Sequence, residues 1–161
     1  MDPRTGIGYD IHRLGANRPL LLGGVQVPCE SGLQGHSDAD VVLHALTDAL
    51  LGALGAPDIG DLFPDTDPTW AGADSTRFLV EADRRRGESG YKVANVDLVI
   101  HAERPKLAPH KNRIRERLAE LLNVSHACVG VKATTNEGLD AVGRGEAIAC
   151  WANVLLVPGR P

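Results

Sequence analysis

The sequence predicts an α+β fold: a single domain in which helices pack on one face of a mixed β-sheet, with a hairpin near the N-terminus. Strand-like segments alternate with amphipathic helical segments, which is typical of a sheet covered by helices. The 161 residues, of which 43% are hydrophobic, suffice for one core. Since no repeat, low-complexity tract or linker interrupts the chain, residues 1–161 are expected to form one domain.

Two extended segments are predicted before the first helix. Residues 6–12 read as a strand, and residues 19–27 read as a hairpin. The pair Gly23-Gly24 lies at the centre of that hairpin, where glycine permits a positive φ. The first strand is therefore expected to lead into a tight antiparallel pair.

The clearest helix covers residues 41–54, an apolar and alanine-rich segment. Ser37 is the expected N-cap, and Asp40 three residues later gives a pattern like a capping box. Gly55 and Pro57 end the helix, because neither residue favours its continuation.

Two further helices alternate with three strands in the rest of the chain. One helix is predicted from residue 74 or 75 to residue 86, where Gly87 ends it, and the other covers residues 109–122. The predicted strands are residues 91–101, 127–134 and 146–157.

Composition and charge argue against several classes of protein. The net charge is -4, and the basic residues form no continuous stripe along the sequence. Two each of Trp, Tyr and Phe leave few rings for stacking on bases, so nucleic acid is not an expected partner. No apolar run approaches the roughly 20 residues of a membrane-spanning helix, and the N-terminus lacks the pattern of a secretion signal. The expected location is cytoplasmic, or a plastid-type organelle if a transit segment is missing.

The three cysteines, Cys29, Cys128 and Cys150, form no C-x-x-C pair. A disulfide framework or a thiolate zinc site is therefore not expected. Cys128 and Cys150 are predicted to be small core residues within strands.

Three side chains are candidate ligands of a catalytic metal. Asp10 and His12 are two residues apart in a predicted strand, so they share a face of the sheet, and His44 lies on the first helix. Three protein ligands would leave a coordination position open for substrate. The alternative is that Asp10 forms a turn and both histidines are ordinary satisfied polar residues.

Asp40, His44 and Asp48 follow one stripe of the first helix, since they are spaced by four residues. Metal-bound imidazoles commonly donate their second N–H to a carboxylate, so Asp40 or Asp48 is a candidate to orient His44 or another ligand. The alternative is a solvated acidic edge near the helix N-terminus, where the helix dipole favours Asp.

Residues 58–68 contain four carboxylates and two prolines. Prolines and turn residues bend such a segment, so a shaped loop is expected there instead of a strand or a helix. Its carboxylates can accept hydrogen bonds from sugar or polyol hydroxyls, and backbone N–H groups beside Gly60 can approach a phosphate. The alternative is an ordinary surface connection, which is common for Asp- and Pro-rich loops.

A further group of polar residues lies at the end of a predicted strand, at Thr134, Thr135, Asn136 and Glu137. Hydroxyl and backbone N–H groups there can donate to phosphate, and Glu137 can bind a cation. The spacing of a P-loop is absent. Hydroxyl residues at strand ends are also common without a function. Residues 105–109 are expected to form a rigid turn that enters a helix and can likewise present backbone groups.

These groups together resemble one family, the 2-C-methyl-D-erythritol 2,4-cyclodiphosphate synthases of the non-mevalonate isoprenoid pathway. The resemblance extends over essentially the whole chain, with the motifs in order and at family-like spacing. The motifs are GYDIH at 8–12, HSDAD at 36–40, LHALTDA at 43–49, DIG at 58–60, FPDTD at 63–67, PK at 105–106, KATT at 132–135 with Glu137, and GRGE at 143–146.

The resemblance implies a lyase that converts 4-diphosphocytidyl-2-C-methyl-D-erythritol 2-phosphate to 2-C-methyl-D-erythritol 2,4-cyclodiphosphate with release of CMP. The 2-phosphate attacks the β-phosphate of the same molecule, so two anionic groups must approach each other against their repulsion. Positioning and charge neutralisation by two cations would drive this reaction, and no side-chain nucleophile is required.

The resemblance also implies the cofactors and the assembly. Asp10, His12 and His44 would bind Zn²⁺, and Glu137 would help to bind a second divalent cation, Mg²⁺ or Mn²⁺. The family forms a homotrimer with active sites between adjacent subunits, so the cytidine contacts and the zinc ligands of one site would come from different chains. The preceding cytidylyltransferase of the pathway is a candidate partner.

His36 and Thr135 are the residues that would support the transition state by donating to phosphoryl oxygens. The other family positions imply contacts to substrate, including cytidine contacts from residues 102–108 and 133–135. The implied substrate-binding residues are Ser37, Asp58, Ile59, Gly60, Phe63, Pro64, Asp65, Thr66, Asp67, Ala102, Glu103, Arg104, Pro105, Lys106, Leu107, Ala108, Ala133, Thr134 and Arg144.

Two positions depart from the family pattern. Asn136 replaces a common third threonine but stays polar, so Glu137 is expected to keep its place. Ala141 replaces a common aromatic residue, which weakens the expectation of an apolar cavity on the trimer axis that holds an isoprenoid diphosphate with Arg144 as its anion partner.

Two other functions remain open from the residues alone. A zinc-dependent phosphohydrolase would use the same ligands to activate water. A trimeric nucleotide-sensing module would bind ligands like CDP without turnover.

Overall fold

A five-stranded sheet and the helices packed against it make up the computed structural model, which describes residues 1–159. Two short 3-10 helices, Pro68–Trp70 and His126–Cys128, accompany the regular elements. The elements in chain order are β1 (Arg4–Gly15), β2 (Leu20–Leu22), β3 (Val25–Val27), β4 (Gly32–Gln34), α1 (Val41–Leu54), α2 (Ile59–Leu62), α3 (Thr76–Glu88), β5 (Tyr91–His101), α4 (Lys111–Leu121), β6 (Val129–Thr134), α5 (Asp140–Gly143) and β7 (Ala147–Pro158).

The strand order of the sheet is β4-β1-β7-β5-β6. The pair β5–β6 is parallel, and the other pairs are antiparallel. Strands β2 and β3 form a separate antiparallel pair, and the φ angles of Gly23 and Gly24 between them are 64° and 73°. The predicted α+β fold with a mixed sheet is confirmed.

Helix α1 packs directly on β1, and glycine makes this close approach possible. A Cβ atom at Gly6 would lie 1.9 Å from the carbonyl oxygen of Ala49, and one at Gly8 would lie 1.9 Å from that of Ala45. No side chain fits in such a gap, so the backbone of β1 touches the helix itself.

The alternation along β1 assigns its residues to two faces. Asp10 and His12 share the face of Gly8 and therefore point toward α1. Ile7, Tyr9 and Ile11 point the other way and are exposed. The strand thus presents polar ligands to the helix and apolar side chains to the opposite face.

Helix α1 has the predicted bounds, Val41–Leu54, but its N-cap differs from the prediction. Asp40 is the N-cap in place of Ser37, and its carboxylate accepts hydrogen bonds from the N–H groups of Val42 and Leu43, both at 3.1 Å. The capping-box pattern placed the cap three residues too early because Asp40 itself has the extended backbone of a cap.

The second and third long helices have slightly different bounds from those predicted. Gly87 lies inside α3, which continues to Glu88 before Gly90 adopts a φ of 74°. Helix α4 begins at Lys111, two residues later than predicted, which is the usual uncertainty of helix ends.

Two further predictions are corrected by local structure. The acidic segment was expected to contain no helix, but Asp58 caps the single turn α2 by accepting a hydrogen bond from the N–H of Asp61 at 3.0 Å. Cys150 is buried in β7 as predicted, whereas Cys128 lies half-buried in a 3-10 turn before β6. Within residues 1–159, no helix is long and apolar enough to cross a bilayer.

Candidate active site

The predicted metal ligands converge where β1 faces α1. Asp10 Oδ2 lies 2.9 Å from His12 Nδ1 and 3.0 Å from His44 Nδ1. One ligand atom from each of the three side chains lies within 4.8 Å of the others, and all three residues are half-buried. The convergence predicted from the spacing is confirmed.

The surroundings of the three side chains fit a bound cation. His12 Nδ1 is a buried nitrogen that lies 2.9 Å from Asp10 Oδ2 but has no hydrogen-bond partner within the described residues. Burial raises the pKa of the Asp10 carboxyl, but the adjacent imidazole rings of His12 and His44 lower it more, to about 2. Two imidazole nitrogens around an ionised carboxylate form a donor set suited to a divalent transition metal.

Asp40 does not support a metal ligand, in contrast to one of the predictions. Its carboxylate is fully buried and accepts hydrogen bonds from the N–H groups of Gly23 at 2.8 Å and Gly24 at 2.7 Å, besides the two at the start of α1. Burial raises the pKa of this carboxyl, while these N–H groups lower it. The residue joins the β2–β3 turn to the helix, and the alternative of a solvated acidic edge is also wrong.

Asp48 also has a partner other than a histidine. Its Oδ1 accepts a hydrogen bond from the N–H of Ile59 at 2.8 Å, which ties α1 to α2. Burial raises the pKa of this carboxyl, and the Ile59 N–H partly offsets the effect. Asp48 therefore binds the acidic segment directly; within the described residues it forms no hydrogen bond to His44, whose charge lowers its pKa.

A cavity of about 420 Å³ opens beside the three candidate ligands. It brings together eight predicted site residues and three that the sequence did not indicate: Gly35, Trp70 and Phe78. The predicted residues in its lining are His12, His36, Ser37, His44, Ile59, Gly60, Phe63 and Asp65.

Three rings form one wall of this first cavity. The centroid of Phe63 lies 4.7 Å from that of Phe78 and 5.1 Å from that of Trp70, and the ring of His44 lies 5.9 Å from Phe78. Sequence reasoning missed Trp70 and Phe78 because they are remote from the ligands along the chain. Apolar rings also carry no ionisable or metal-binding group that would indicate a site from the sequence.

The remaining acidic-segment residues shape the backbone or lie outside the cavity. Asp67 caps the 3-10 helix by accepting a hydrogen bond from the N–H of Thr69 at 2.9 Å. Asp58, Pro64 and Thr66 also lie outside the lining of the first cavity. Four of the eight substrate contacts predicted between residues 58 and 67 thus have no part in this lining.

A second cavity, of about 260 Å³, lies where the parallel strands β5 and β6 end. The Arg104–Pro105 peptide bond is cis, and the N–H of Ala102 donates to the carbonyl oxygen of Thr134 at 3.0 Å. Lys111 is a lining residue that the sequence did not indicate, and the predicted Arg104 is not part of the lining. The predicted residues that line it are Ala102, Glu103, Pro105, Lys106, Leu107, Ala108, Ala133, Thr134 and Thr135.

The two cavities share no lining residue. Glu137 lines neither of them; it is exposed, has a φ of 53°, and places Oε1 3.4 Å from Thr135 Oγ1. The side chain of Asn136 accepts a hydrogen bond from His101 Nδ1 at 2.8 Å and donates one to Asp140 at 2.9 Å. One chain therefore holds the metal-ligand cluster and the Thr135–Glu137 corner as separate sites.

Arg144, the predicted anion partner, is an exposed residue outside both linings. Its guanidinium donates to the Glu146 carboxylate at 2.9 and 3.1 Å. Ala141, the position without the family's aromatic ring, packs against a small group of buried residues that includes Val142 and Ala149.

Comparison with known proteins identifies the family. The YgbB family model matches residues 3–157. The 2-C-methyl-D-erythritol 2,4-cyclodiphosphate synthase of Nostoc sp. is 54% identical over 157 residues, which cover 98% of this chain and 95% of that protein. A solved CDP-bound 2C-methyl-D-erythritol-2,4-cyclodiphosphate synthase is 44% identical, with a TM-score of 0.89 and coverage of 96% of this chain and 100% of that chain.

Some relatives are longer than this chain. The bifunctional enzyme IspD/IspF of Novosphingobium aromaticivorans is 55% identical over 157 residues, but this chain spans 41% of its length. The bifunctional IspDF from Campylobacter jejuni has a TM-score of 0.92 at 44% identity, and 96% of this chain matches 42% of that chain. The family match and these identities show that the chain belongs to the YgbB family, the enzyme family of the 2-C-methyl-D-erythritol 2,4-cyclodiphosphate synthases.

Proposed function

We propose that the chain converts 4-diphosphocytidyl-2-C-methyl-D-erythritol 2-phosphate to 2-C-methyl-D-erythritol 2,4-cyclodiphosphate with release of CMP. The main support is the pair of cavities: one beside a metal-ligand cluster and one at a cis-proline turn. The substrate has a phosphorylated polyol at one end and a cytidine nucleotide at the other. The CDP complexes of the solved relatives are consistent with a nucleotide site in this family.

The two cavities form one active site when they belong to neighbouring subunits of a homotrimer. In this arrangement the polyol end of the substrate lies in the first cavity and the cytidine end in the second cavity of the next chain. Because the cavities share no lining residue within one chain, a single copy offers only two half-sites. The exposed apolar face formed by Ile7, Tyr9, Ile11 and Trp151 provides a surface for assembly.

The reaction forms one bond and breaks another at the same phosphorus. An oxygen of the 2-phosphate bonds to the β-phosphorus, and the bond from that phosphorus to the bridging oxygen breaks, so the electron pair leaves with CMP. Zn²⁺ bound by Asp10, His12 and His44 and a second divalent cation bound with Glu137 would neutralise the phosphates and make the phosphorus more electrophilic.

Side chains of this chain then orient the substrate. His36 lines the first cavity and Thr135 lines the second, so each can donate a hydrogen bond to phosphoryl oxygens from its own side of the interface. Asp65 in the first cavity can accept hydrogen bonds from the polyol hydroxyls. The residues that line the second cavity surround the nucleotide.

The aromatic wall favours cyclisation over hydrolysis. Phe63, Trp70 and Phe78 cover one side of the first cavity with apolar surface, and water has no partner there. The internal phosphate is already next to the reacting phosphorus and therefore has the advantage of proximity. The bifunctional relatives also make the preceding cytidylyltransferase a candidate partner.

Phosphorus NMR of the reaction products tests the proposed function. The protein is incubated with the cytidine-diphosphate substrate, Zn²⁺ and Mg²⁺, and we expect a cyclic diphosphate and CMP in equal amounts. A linear phosphate product would identify a phosphohydrolase instead. Binding of the substrate without CMP release would identify a nucleotide-sensing module.

A further inference from the structure

The two ring nitrogens of His44 face different groups. Its Nδ1 lies 3.0 Å from Asp10 Oδ2, within the candidate metal cluster. Its Nε2 lies 2.8 Å from Ser75 Oγ, at the start of α3, and 3.2 Å from Ser37 Oγ. The ring therefore has a metal-facing nitrogen and a nitrogen that faces two buried hydroxyls, of which Ser75 is the nearer.

The hydrogen bonds of Ser75 determine which nitrogen carries the proton. Asp38 Oδ1 accepts the hydroxyl proton of Ser75, and Asp38 Oδ2 accepts a hydrogen bond from the Ser75 backbone N–H at 3.0 Å. An ionised carboxylate can only accept, and a hydroxyl has a single proton to donate. Ser75 Oγ must therefore accept the hydrogen bond from His44 Nε2–H.

This chain of hydrogen bonds leaves a lone pair on His44 Nδ1, directed at Asp10. A neutral imidazole with its proton on Nε2 is the form that binds a metal through Nδ1. Without a cation, the lone pair and the ionised carboxylate would face each other across 3.0 Å as two acceptors. The arrangement is complete only with a positive charge between them.

The Ser75 hydroxyl has no other structural task within its own helix. Ser75 occupies the N-cap position of α3, but its side chain forms no capping hydrogen bond; the N–H of Thr76 donates instead to Asp74 at 2.8 Å. Ser75 is fully buried, so water does not compete for its hydroxyl. Its side-chain contacts are thus to His44, to Asp38 and, at 3.4 Å, to Ser37 Oγ.

We propose that Ser75 and Asp38 are positioning residues that hold His44 in the metal-binding tautomer through the relay Asp38–Ser75–His44. The proposal rests on the proposed metal site at Asp10, His12 and His44. Neither residue touches the metal or the substrate in this role. Loss of such a partner typically lowers metal affinity about 10- to 100-fold.

Zinc affinity, measured by competition with a chromogenic chelator at fixed pH, tests the relay. We expect Ser75→Ala to lower the affinity about 10- to 100-fold. Asp38→Asn should lower it less, because the carboxamide oxygen can still accept from Ser75. Ser75→Thr keeps the hydroxyl and should restore most of the affinity. Thermal unfolding of each metal-free variant identifies any variant that fails to fold.

Thr47→Val is the matched control, because Thr47 is a fully buried hydroxyl residue on α1 that donates only to the carbonyl oxygen of Leu43. Wild-type affinity in Ser75→Ala, or equal losses in Ser75→Ala and Thr47→Val, would overturn the relay. His44→Ala separates the two proposals. Undiminished zinc binding in that variant would refute the metal site itself, whereas loss of zinc there with full binding in Ser75→Ala would refute the relay alone.

Discussion

Three carboxylates on or near α1 act in different ways because their partners differ. Asp10 faces two imidazoles and keeps a low pKa, Asp40 accepts only backbone N–H groups, and Asp48 holds the N–H of Ile59. The i, i+4 spacing placed Asp40 and Asp48 on the stripe of His44 but did not reveal that backbone donors would occupy them. Buried backbone N–H groups need acceptors, and nearby carboxylates supply them.

The raised pKa of Asp48 gives a prediction about pH. At pH 7 burial opposes its charge, so the ionised side chain lowers the stability of the folded state. This cost disappears as the pH falls through the raised pKa, because the folded protein then takes up a proton more readily than the unfolded chain. Asp48→Asn keeps an oxygen for Ile59 and removes the charge. The variant should therefore be more stable than wild type at pH 7, and its advantage should shrink toward about pH 4, near the pKa of an unfolded Asp.

Urea unfolding between pH 3.5 and pH 7.5, with a chelator present, measures this difference. Asp61→Asn is the control, since Asp61 is an exposed carboxylate in the neighbouring turn α2. If the difference in the free energy of unfolding between Asp48→Asn and wild type stays constant over this range, the raised pKa is contradicted.

At the scale of elements, the contact between β1 and α1 sets the geometry of the metal cluster. The backbone of β1 touches the helix at Gly6 and Gly8, on the face of the strand that next presents Asp10 and His12. This contact fixes how far the strand-borne ligands lie from His44. A wider gap would separate the carboxylate of Asp10 from the imidazole of His44.

Gly8→Ala tests this contact. Its Cβ would lie 1.9 Å from the carbonyl oxygen of Ala45, so the helix must move away, and we expect a loss of about 1–3 kcal/mol or more in the free energy of unfolding. Zinc affinity should fall as well. Gly52→Ala is the control: this exposed position inside α1 has room for a Cβ, 3.8 Å from the nearest atom, and should gain about 0.5–1 kcal/mol. Equal effects of the two substitutions on denaturant unfolding would refute the close contact.

The sequence predicted elements well where the local signals were complete. The bounds of α1 follow from its apolar run and Gly55, and β5 has the predicted residues 91–101. The convergence of the candidate metal ligands was predictable because alternation in a strand puts Asp10 and His12 on one face. Ser75, Trp70 and Phe78 were not predictable, because each reaches the site only through the folding of remote segments against α1. The buried tertiary contacts of Asp40 were missed for the same reason, since two of its four donors belong to the β2–β3 turn.

At the scale of the whole molecule, the proposed homotrimer would account for both the separate half-sites and the exposed apolar face. Ile7 is 64% exposed, and Tyr9 and Trp151 stack at 4.4 Å between ring centroids while remaining more than 40% exposed. A monomer would leave this apolar surface in water at a cost. Covering it with two further copies of the chain would also bring half-sites of different chains close together.

Complementation between subunits tests the shared active site. His44→Ala removes a metal ligand from the first cavity, and Thr135→Ala removes a hydroxyl from the second. Each variant alone should have very low activity. If every site combines the first cavity of one chain with the second of its neighbour, each mixed trimer contains one intact site of three and should regain about a third of wild-type activity. The whole population from random co-expression, which includes the inactive homotrimers, should regain about a quarter. Both variants carry different affinity tags, so that mixed trimers can be purified. Mixed trimers that stay inactive would mean that both residues serve a site within one chain.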